Sequence, residues 1–212
     1  VLDRLGINLL SGAGQSCCGA VSQHLAAPDE AKIFIKRNIN AWWPEVEAGA
    51  EAIIVSASGC AVHVKEYGHL LSDDADYAEK AAKVSSLAKD LSEVIAEENL
   101  DDFKVAQGKR IAFHSPCTLQ HGQQLAGKVE EILQRAGFDL VEVEDEHLCC
   151  GSAGTYSILQ PEISVRLRDN KLANLQTNKP ELIATANVGC QLHLDSKSQM
   201  PVKHWIELLE QA

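Results

Sequence analysis

The chain has 212 residues, 45% of them hydrophobic and 23% charged, with a net charge of −11. That length supports a sizeable core in one or two compact domains, and the acidic balance, with no basic run, argues against a nucleic-acid partner. No apolar stretch approaches the ~20 residues that cross a bilayer, and residues 1–15 lack a basic start followed by an apolar run, so neither direct membrane insertion nor a secretory signal is expected.

Taken in chain order, residues 7–10 read as a short buried strand. Residues 30–48 set Ile33, Ile35, Ile39, Trp42, Trp43 and Val46 at roughly helical spacing, with Pro44 as a kink or break and Gly49 as a stop. The β-branched run 52–57 reads as a buried parallel strand. Residues 74–97, rich in Ala, Lys, Glu and Asp with Leu and Val at helical spacing, read as one or two amphipathic helices. The order then recurs. A strand is expected over 110–114, a helix over 123–136 that stops at Gly137, and a half-exposed strand over 139–144. A helix over 162–176 with Pro161 in its first turn, a strand over 182–186 and an amphipathic helix over 202–211 complete the chain. Strands alternating with helices predict an α/β fold of βα units around parallel sheets.

An internal repeat organises the seven cysteines. Gly6-Ile-Asn-Leu-Leu leads to Cys17-Cys18-Gly19, and Gly137-Phe-Asp-Leu-Val leads to Cys149-Cys150-Gly151. Each triplet is followed by a strand and then by Gly-Cys-x-x-His: Gly59-Cys60 to His63, and Gly189-Cys190 to His193. Between Cys18 and Cys60 lie 41 residues, and between Cys150 and Cys190 lie 39. Such agreement predicts a duplicated domain, with 1–108 as the first repeat and 109–212 as the second. The second has one further element, Cys117, with 31 residues between it and Cys149. Its counterpart in the first repeat is expected upstream of Val1. Since the only methionine is Met200, the chain is read as a piece of a longer protein, its first repeat truncated and its second complete.

An odd number of cysteines in a chain this rich in apolar residues argues against a disulfide scaffold. Cys117, Cys149, Cys150 and Cys190 supply the four thiolates that typically hold one iron–sulfur cluster, and Cys17, Cys18 and Cys60 are their partners in the first repeat. A [4Fe–4S] cluster is the expected cofactor. Each cysteine is expected in a loop between a strand and a helix, where the carboxyl ends of parallel strands converge and helix N-termini favour anions. Gly19, Gly59, Gly151 and Gly189 are expected to allow positive φ and close backbone approach. His63 and His193 are candidate further ligands, although helix-face histidines near the site are the plainer reading. His114 and His147 adjoin the motif cysteines and read as structural, with tuning of the site by hydrogen bonds as the alternative. No residue is assigned to catalysis. A Cys₃His zinc module without redox function and a thiol–disulfide enzyme using the vicinal cysteines are the competing readings. Dinucleotide, triphosphate and nucleophile-elbow motifs are absent.

The fuller strings resemble a known family. Cys117, Cys149-Cys150-Gly151 and Gly189-Cys190 resemble the cysteine-rich Cys-Cys-Gly domain of heterodisulfide reductase, the lactate-utilisation iron–sulfur protein and the glycolate oxidase iron–sulfur subunit. Gly14-Gln-Ser-Cys-Cys-Gly-Ala20, Asn40-Ala-Trp-Trp-Pro44, Ala57-Ser-Gly-Cys60, Pro116-Cys-Thr-Leu-Gln-His121, Leu148-Cys-Cys-Gly-Ser-Ala-Gly-Thr-Tyr156 and Arg168-Asp-Asn-Lys171 are similar to the last of these. The resemblance implies a subunit that passes electrons from a flavin-containing glycolate oxidase subunit towards the respiratory chain, in the cytoplasm or peripheral to the inner membrane through partners. It also implies an N-terminal ferredoxin-like part that this sequence does not contain. In heterodisulfide reductase the last motif is Cys-x-x-Cys, where this chain has Cys190-x-x-His193.

Overall fold

The computed structural model describes residues 1–104 and 108–210. The chain forms two compact units, Leu2–Val94 and Ile95–Ala212, the second also including Val1. In the Leu2–Val94 unit the helices α1 (Ala20–His24) and α2 (Pro28–Glu47) precede β1 (Ile53–Val55). Then come α3 (Ser58–Lys65), α4 (Tyr67–Leu70), α5 (Ala78–Leu87), β2 (Ala88–Asp90) and α6 (Leu91–Ile95), whose last residue is counted in the other unit. The two strands pair in parallel, Ile53 opposite Ala88 and Val55 opposite Asp90.

Sequence explains α2 with one adjustment of face. Pro28 sits in its first turn, where a missing N–H costs nothing, and Gly49 ends it at φ 101°. Its buried stripe is Ala31, Ile35, Asn38 and Ile39, while Ile33 points to solvent at 59% exposure. Pro44 lies within the helix and does not break it. Two expectations fail here. Residues 7–10 are irregular, with Leu9 and Leu10 exposed, because no strand among the described residues pairs with them. The 74–97 segment is interrupted by β2: after α5, Ala88 turns extended (φ −68°, ψ 122°) and the backbone pairs with β1 instead of continuing as helix.

The other unit carries β3 (Arg110–His114), a single π-helical turn at Thr118–Gly122, α7 (Lys128–Arg135) and β4 (Asp139–Leu140). It continues through α8 (Tyr156–Leu159), α9 (Pro161–Gln176), β5 (Leu182–Thr185), α10 (Val188–Asp195), β6 (Val202–His204) and α11 (Trp205–Glu210). All four strands are parallel, in the order β4-β3-β5-β6. Central strands β3 and β5 are buried along nearly their whole length, as strands covered on both faces must be. The expected helix 202–211 opens as β6, since Val202–His204 satisfy the free edge of β5. The 123–136 helix begins only at Lys128. The 139–144 strand shrinks to two residues. Val141 donates one more bond to Ile111, and beyond it the chain leaves the sheet with Glu142 and Glu144 exposed. No helix among the described residues is long and apolar enough to cross a membrane.

Candidate metal centre

The strand order fixes where a site can form in the Ile95–Ala212 unit. After β3 the chain moves outward to β4, then returns to the opposite side of β3 as β5. The carboxyl ends of β3 and β5 therefore flank a topological switch point, the crevice where parallel α/β sheets hold ligands. Cys117 lies three residues beyond β3, and Cys190 lies in the first turn of α10, just beyond β5. Cys149 and Cys150 arrive from the long segment between β4 and α8. Cys150 and Cys190 are buried against Ala112, Ile183, Leu172 and Leu194.

The four thiols form one connected chain. Cys149 interacts with Cys117 and Cys150, and Cys150 in turn with Cys190. Proton sharing drives alternate thiols in opposite directions. Its bond from Cys117, then that from Cys150, pulls Cys149 far below the usual thiol range, and the Gly151 amide donates to its sulfur at 3.3 Å. Cys190 falls to about 6, chiefly through Cys150 and with help from His114. Cys117 and Cys150 are pushed up by the same bonds and by burial. The site thus holds thiolate character at neutral pH and would shed its remaining protons on binding a metal.

The Leu2–Val94 unit brings together Cys17, Cys18 and Cys60. Cys60 lies in the first turn of α3 and shares a proton with Cys18, which lowers Cys60 and raises Cys18. Cys60 and Cys190 therefore sit in helices rather than in the expected loops, and Gly59 and Gly189 are helical without positive φ. Only Gly19 (φ 92°) and Gly151 (φ 89°) of the four motif glycines are left-handed. All seven cysteines are free thiols.

The scaffold under each cysteine pair repeats with local variation. The glycine after each cysteine pair packs on the first turns of the next long helix: Gly19 on Ala31 and Phe34, Gly151 on Ser164 and Leu167. Pro28 and Pro161 open these helices at matching places, so Asn38 and Lys171 occupy equivalent positions. Both side chains are buried, and both hold the segment that leads into the cysteines. Asn38 accepts from the Ser16 amide at 2.8 Å and donates to the Cys17 carbonyl at 3.0 Å, while Tyr67 donates to the Cys18 carbonyl at 2.7 Å. Lys171 donates to the carbonyls of Asp145 and Glu146 at 2.9 and 2.8 Å. Sequence reasoning missed Asn38 and gave Lys171 no role. The only signal was a polar residue on the buried face of an otherwise apolar stripe.

The two Cys-x-x-His histidines differ. His193 Nε2 lies 3.1 Å from Ser164 Oγ, which donates its own proton to the Gly151 carbonyl, so this nitrogen is held by the helix below. At the helix position that matches Ser164 stands Ala31, which offers His63 no hydroxyl. His63 is 2% exposed, neither ring nitrogen has a hydrogen-bond partner among the described residues, and its ring packs edge-on against Tyr67. Burial, then the neighbouring His24, lowers its pKa from 6.5 to about 4. Between these values the unfolded chain binds more protons than the folded one. Stability is therefore full above pH 6.5 and lost as pH falls towards 4, by on the order of 3 kcal/mol. In urea titrations, His63→Leu should flatten this part of the pH profile. Parallel profiles for variant and parent would refute it.

One histidine does face the thiols. His114, the last residue of β3, is fully buried, and one of its ring nitrogens lies with the sulfurs of Cys150 and Cys190 such that all three fall within 4.8 Å of one another. Beside it, Ser115 Oγ and Thr185 Oγ1, at the same sheet edge, are also buried without partners among the described residues. Orphaned polar groups of this kind are rare in folded proteins and mark an unfilled bonding requirement. A donor set of thiolates with one imidazole suits a soft metal or an iron–sulfur cluster.

Comparison with known proteins accords with this geometry. The family model described as "Cysteine-rich domain" (CCG) matches residues 1–65 and 111–195. Over 212 residues the chain is 54% identical to the glycolate oxidase iron-sulfur subunit of Escherichia coli (strain K12), covering 100% of this chain and 52% of that protein. It is 32% identical over 198 residues to the probable glycolate oxidase iron-sulfur subunit of Bacillus subtilis (strain 168), covering 92% and 44% respectively. Lactate utilization protein A of Bacillus velezensis is 29% identical over 219 residues, covering 99% of this chain and 89% of that protein. The chain thus spans about half the length of the first two relatives.

Proposed function

We propose that this chain, which belongs to the cysteine-rich CCG domain family, is an iron–sulfur electron-transfer part of a glycolate-oxidising complex. The observation that carries this reading is the convergence of four thiols at the switch point of a parallel sheet. Cys117, Cys149, Cys150 and Cys190 are the proposed ligands of a [4Fe–4S] cluster in a complete repeat over 109–212. Cys17, Cys18 and Cys60 are the proposed ligands in the repeat over 1–108. When bound, such a cluster accepts and returns electrons. The protein's part is to keep Cys149 and Cys190 in thiolate form, to donate the Gly151 amide to sulfur, and to bury Cys150 and Cys190 away from water.

The expected partners are flavin-containing glycolate oxidase subunits and a ferredoxin-like iron–sulfur segment, with the assembly in the cytoplasm or held at the inner membrane by its partners. Identity of 54% to a glycolate oxidase subunit supports the substrate. The match to lactate utilization protein A over 89% of its length favours lactate as the second reading.

Anaerobic reconstitution with iron and sulfide tests the proposal. A brown protein with a dithionite-sensitive EPR signal is expected, and Cys150→Ser should remove the signal of the Ile95–Ala212 unit. A colourless product that carries zinc from iron-replete medium would overturn it, as would glycolate turnover by the chain without a flavin partner.

A further inference from the structure

We infer that His114 is a direct metal ligand of the site in the Ile95–Ala212 unit, its imidazole nitrogen joining the sulfurs of Cys150 and Cys190 on one metal ion. The inference rests on the metal-site reading above and goes beyond it, because neither the repeat nor the Cys-x-x-His motif points to this residue.

Position supplies the first argument. His114 ends the central strand at the switch point, paired in register with Thr185 at the end of β5. Side chains two apart on a strand share a face, so His114 lies on the face of Ala112, which packs with Cys150 and Cys190. The ring therefore borders the thiols by the geometry of β3 itself.

Satisfaction supplies the second. His114 is 0% exposed, no well-formed hydrogen bond reaches either nitrogen among the described residues, and the group its ring acts on is the Cys190 thiol. Burying an imidazole in this way costs the desolvation of at least one polar nitrogen. A metal bond offsets that cost. The span of the three ligand atoms, at most 4.8 Å, is close to what one ion demands. With metal–sulfur bonds of about 2.3 Å and metal–nitrogen bonds of about 2.0 Å, tetrahedral ligand atoms stand roughly 3.5 Å apart. Small rotamer adjustments close the difference.

Comparison with the other histidines supplies the third. His193 occupies the motif position, yet its Nε2 is committed to Ser164. That bond leaves only Nδ1 of His193 for the thiols, whereas the ring of His114 stands beside Cys150 and Cys190. Together with Cys117, Cys149, Cys150 and Cys190 it makes five donors. A cluster of several irons offers more than one coordination position, so thiolates and an imidazole can bind together.

Pulsed EPR on this chain, grown with histidine labelled with ¹⁵N in the imidazole ring, decides the matter. The reconstituted, reduced protein should show a nitrogen coupling that shifts with the isotope. That coupling should persist in His193→Gln and vanish in His114→Gln. A protein that holds iron and sulfide yet shows no imidazole coupling overturns the inference and leaves the iron–sulfur reading standing, as does a coupling that survives His114→Gln. Cobalt(II) loading provides the second arm: an isotope-sensitive coupling there, without cluster formation, supports His114 and overturns the iron–sulfur reading. Binding of neither iron–sulfur nor cobalt overturns both. Should His114→Gln fail to fold, the labelled parent and His193→Gln still decide whether an imidazole other than His193 is bound.

Discussion

Gly151→Ala is expected to destabilise the Ile95–Ala212 unit by about 3–4 kcal/mol, from an alanine forced into the left-handed region and a backbone collision. Gly151 has φ 89°, and a methyl group there would overlap the carbonyl oxygen of Ser164 and approach Leu167 Cβ to 3.1 Å. The first obstacle is the main chain of α9, so no side-chain rotation relieves it. Ser164 is also bonded to the Gly151 carbonyl, and a shift of the helix would break that bond. A graded series isolates the cause. Gly19→Ala, at φ 92° with its nearest obstacle 3.1 Å away, should cost about 2 kcal/mol in its own unit. Gly127→Ala, at φ 81° with open space around it, should cost about 1 kcal/mol. Urea midpoints combined with peptide-resolved hydrogen exchange measure each unit separately. Equal losses at all three positions would show that backbone conformation alone sets the cost and that close packing of the cysteine loop on α9 does not.

The difference between Gly151 and its motif partner Gly189 shows what the sequence could and could not tell. Both precede or follow a cysteine, and both read as sites of positive φ. One is left-handed, while the other is an ordinary helical residue whose lack of a side chain leaves room for Ser152 Oγ, 3.0 Å from where a Cβ would stand. The repeat and the central strands were legible because hydrophobic runs such as Ile111–Phe113 and Leu182–Ala184 are covered on both faces and admit no polar residue. Edge strands β2 and β6 were not, since Ala88–Asp90 and Val202–His204 carry mixed sequences that become strands only through a neighbour's free edge. The thiols were legible from spacing alone. His114 was legible only in part: beside a motif cysteine it reads as structural, with hydrogen-bond tuning as the alternative, and the register that sets it beside Cys150 and Cys190 gives it a further meaning.

The second large effect is expected at Lys171. Its ammonium is 1% exposed, burial lowers its pKa, and its two charge-assisted bonds end on the carbonyls of Asp145 and Glu146. Asp145 has φ 49°, a conformation that non-glycine residues adopt at a cost and keep only when their surroundings enforce it. The same carbonyl of Asp145 also accepts from the Leu148 amide, one residue before Cys149. Lys171 therefore pins the turn that delivers the cysteine pair. Lys171→Met keeps the aliphatic stem but removes both bonds, leaving Asp145 free to relax towards negative φ. A loss of about 2–4 kcal/mol is expected from the absent charged donors, together with weaker metal retention at Cys149 and Cys150. Asn38→Leu should act in the same way on Cys17 and Cys18, by about 2–3 kcal/mol, since its three hydrogen bonds are between neutral groups. The measurements are denaturation midpoints and the rate at which a chelator strips metal from each variant. Were Lys171→Met as stable as the parent and as slow to lose metal, the turn would have to be held by the Leu148 amide and by Gln120 Nε2, which donates to the Glu146 carbonyl at 3.4 Å. The buried ammonium would then be a desolvated charge that the fold tolerates without using.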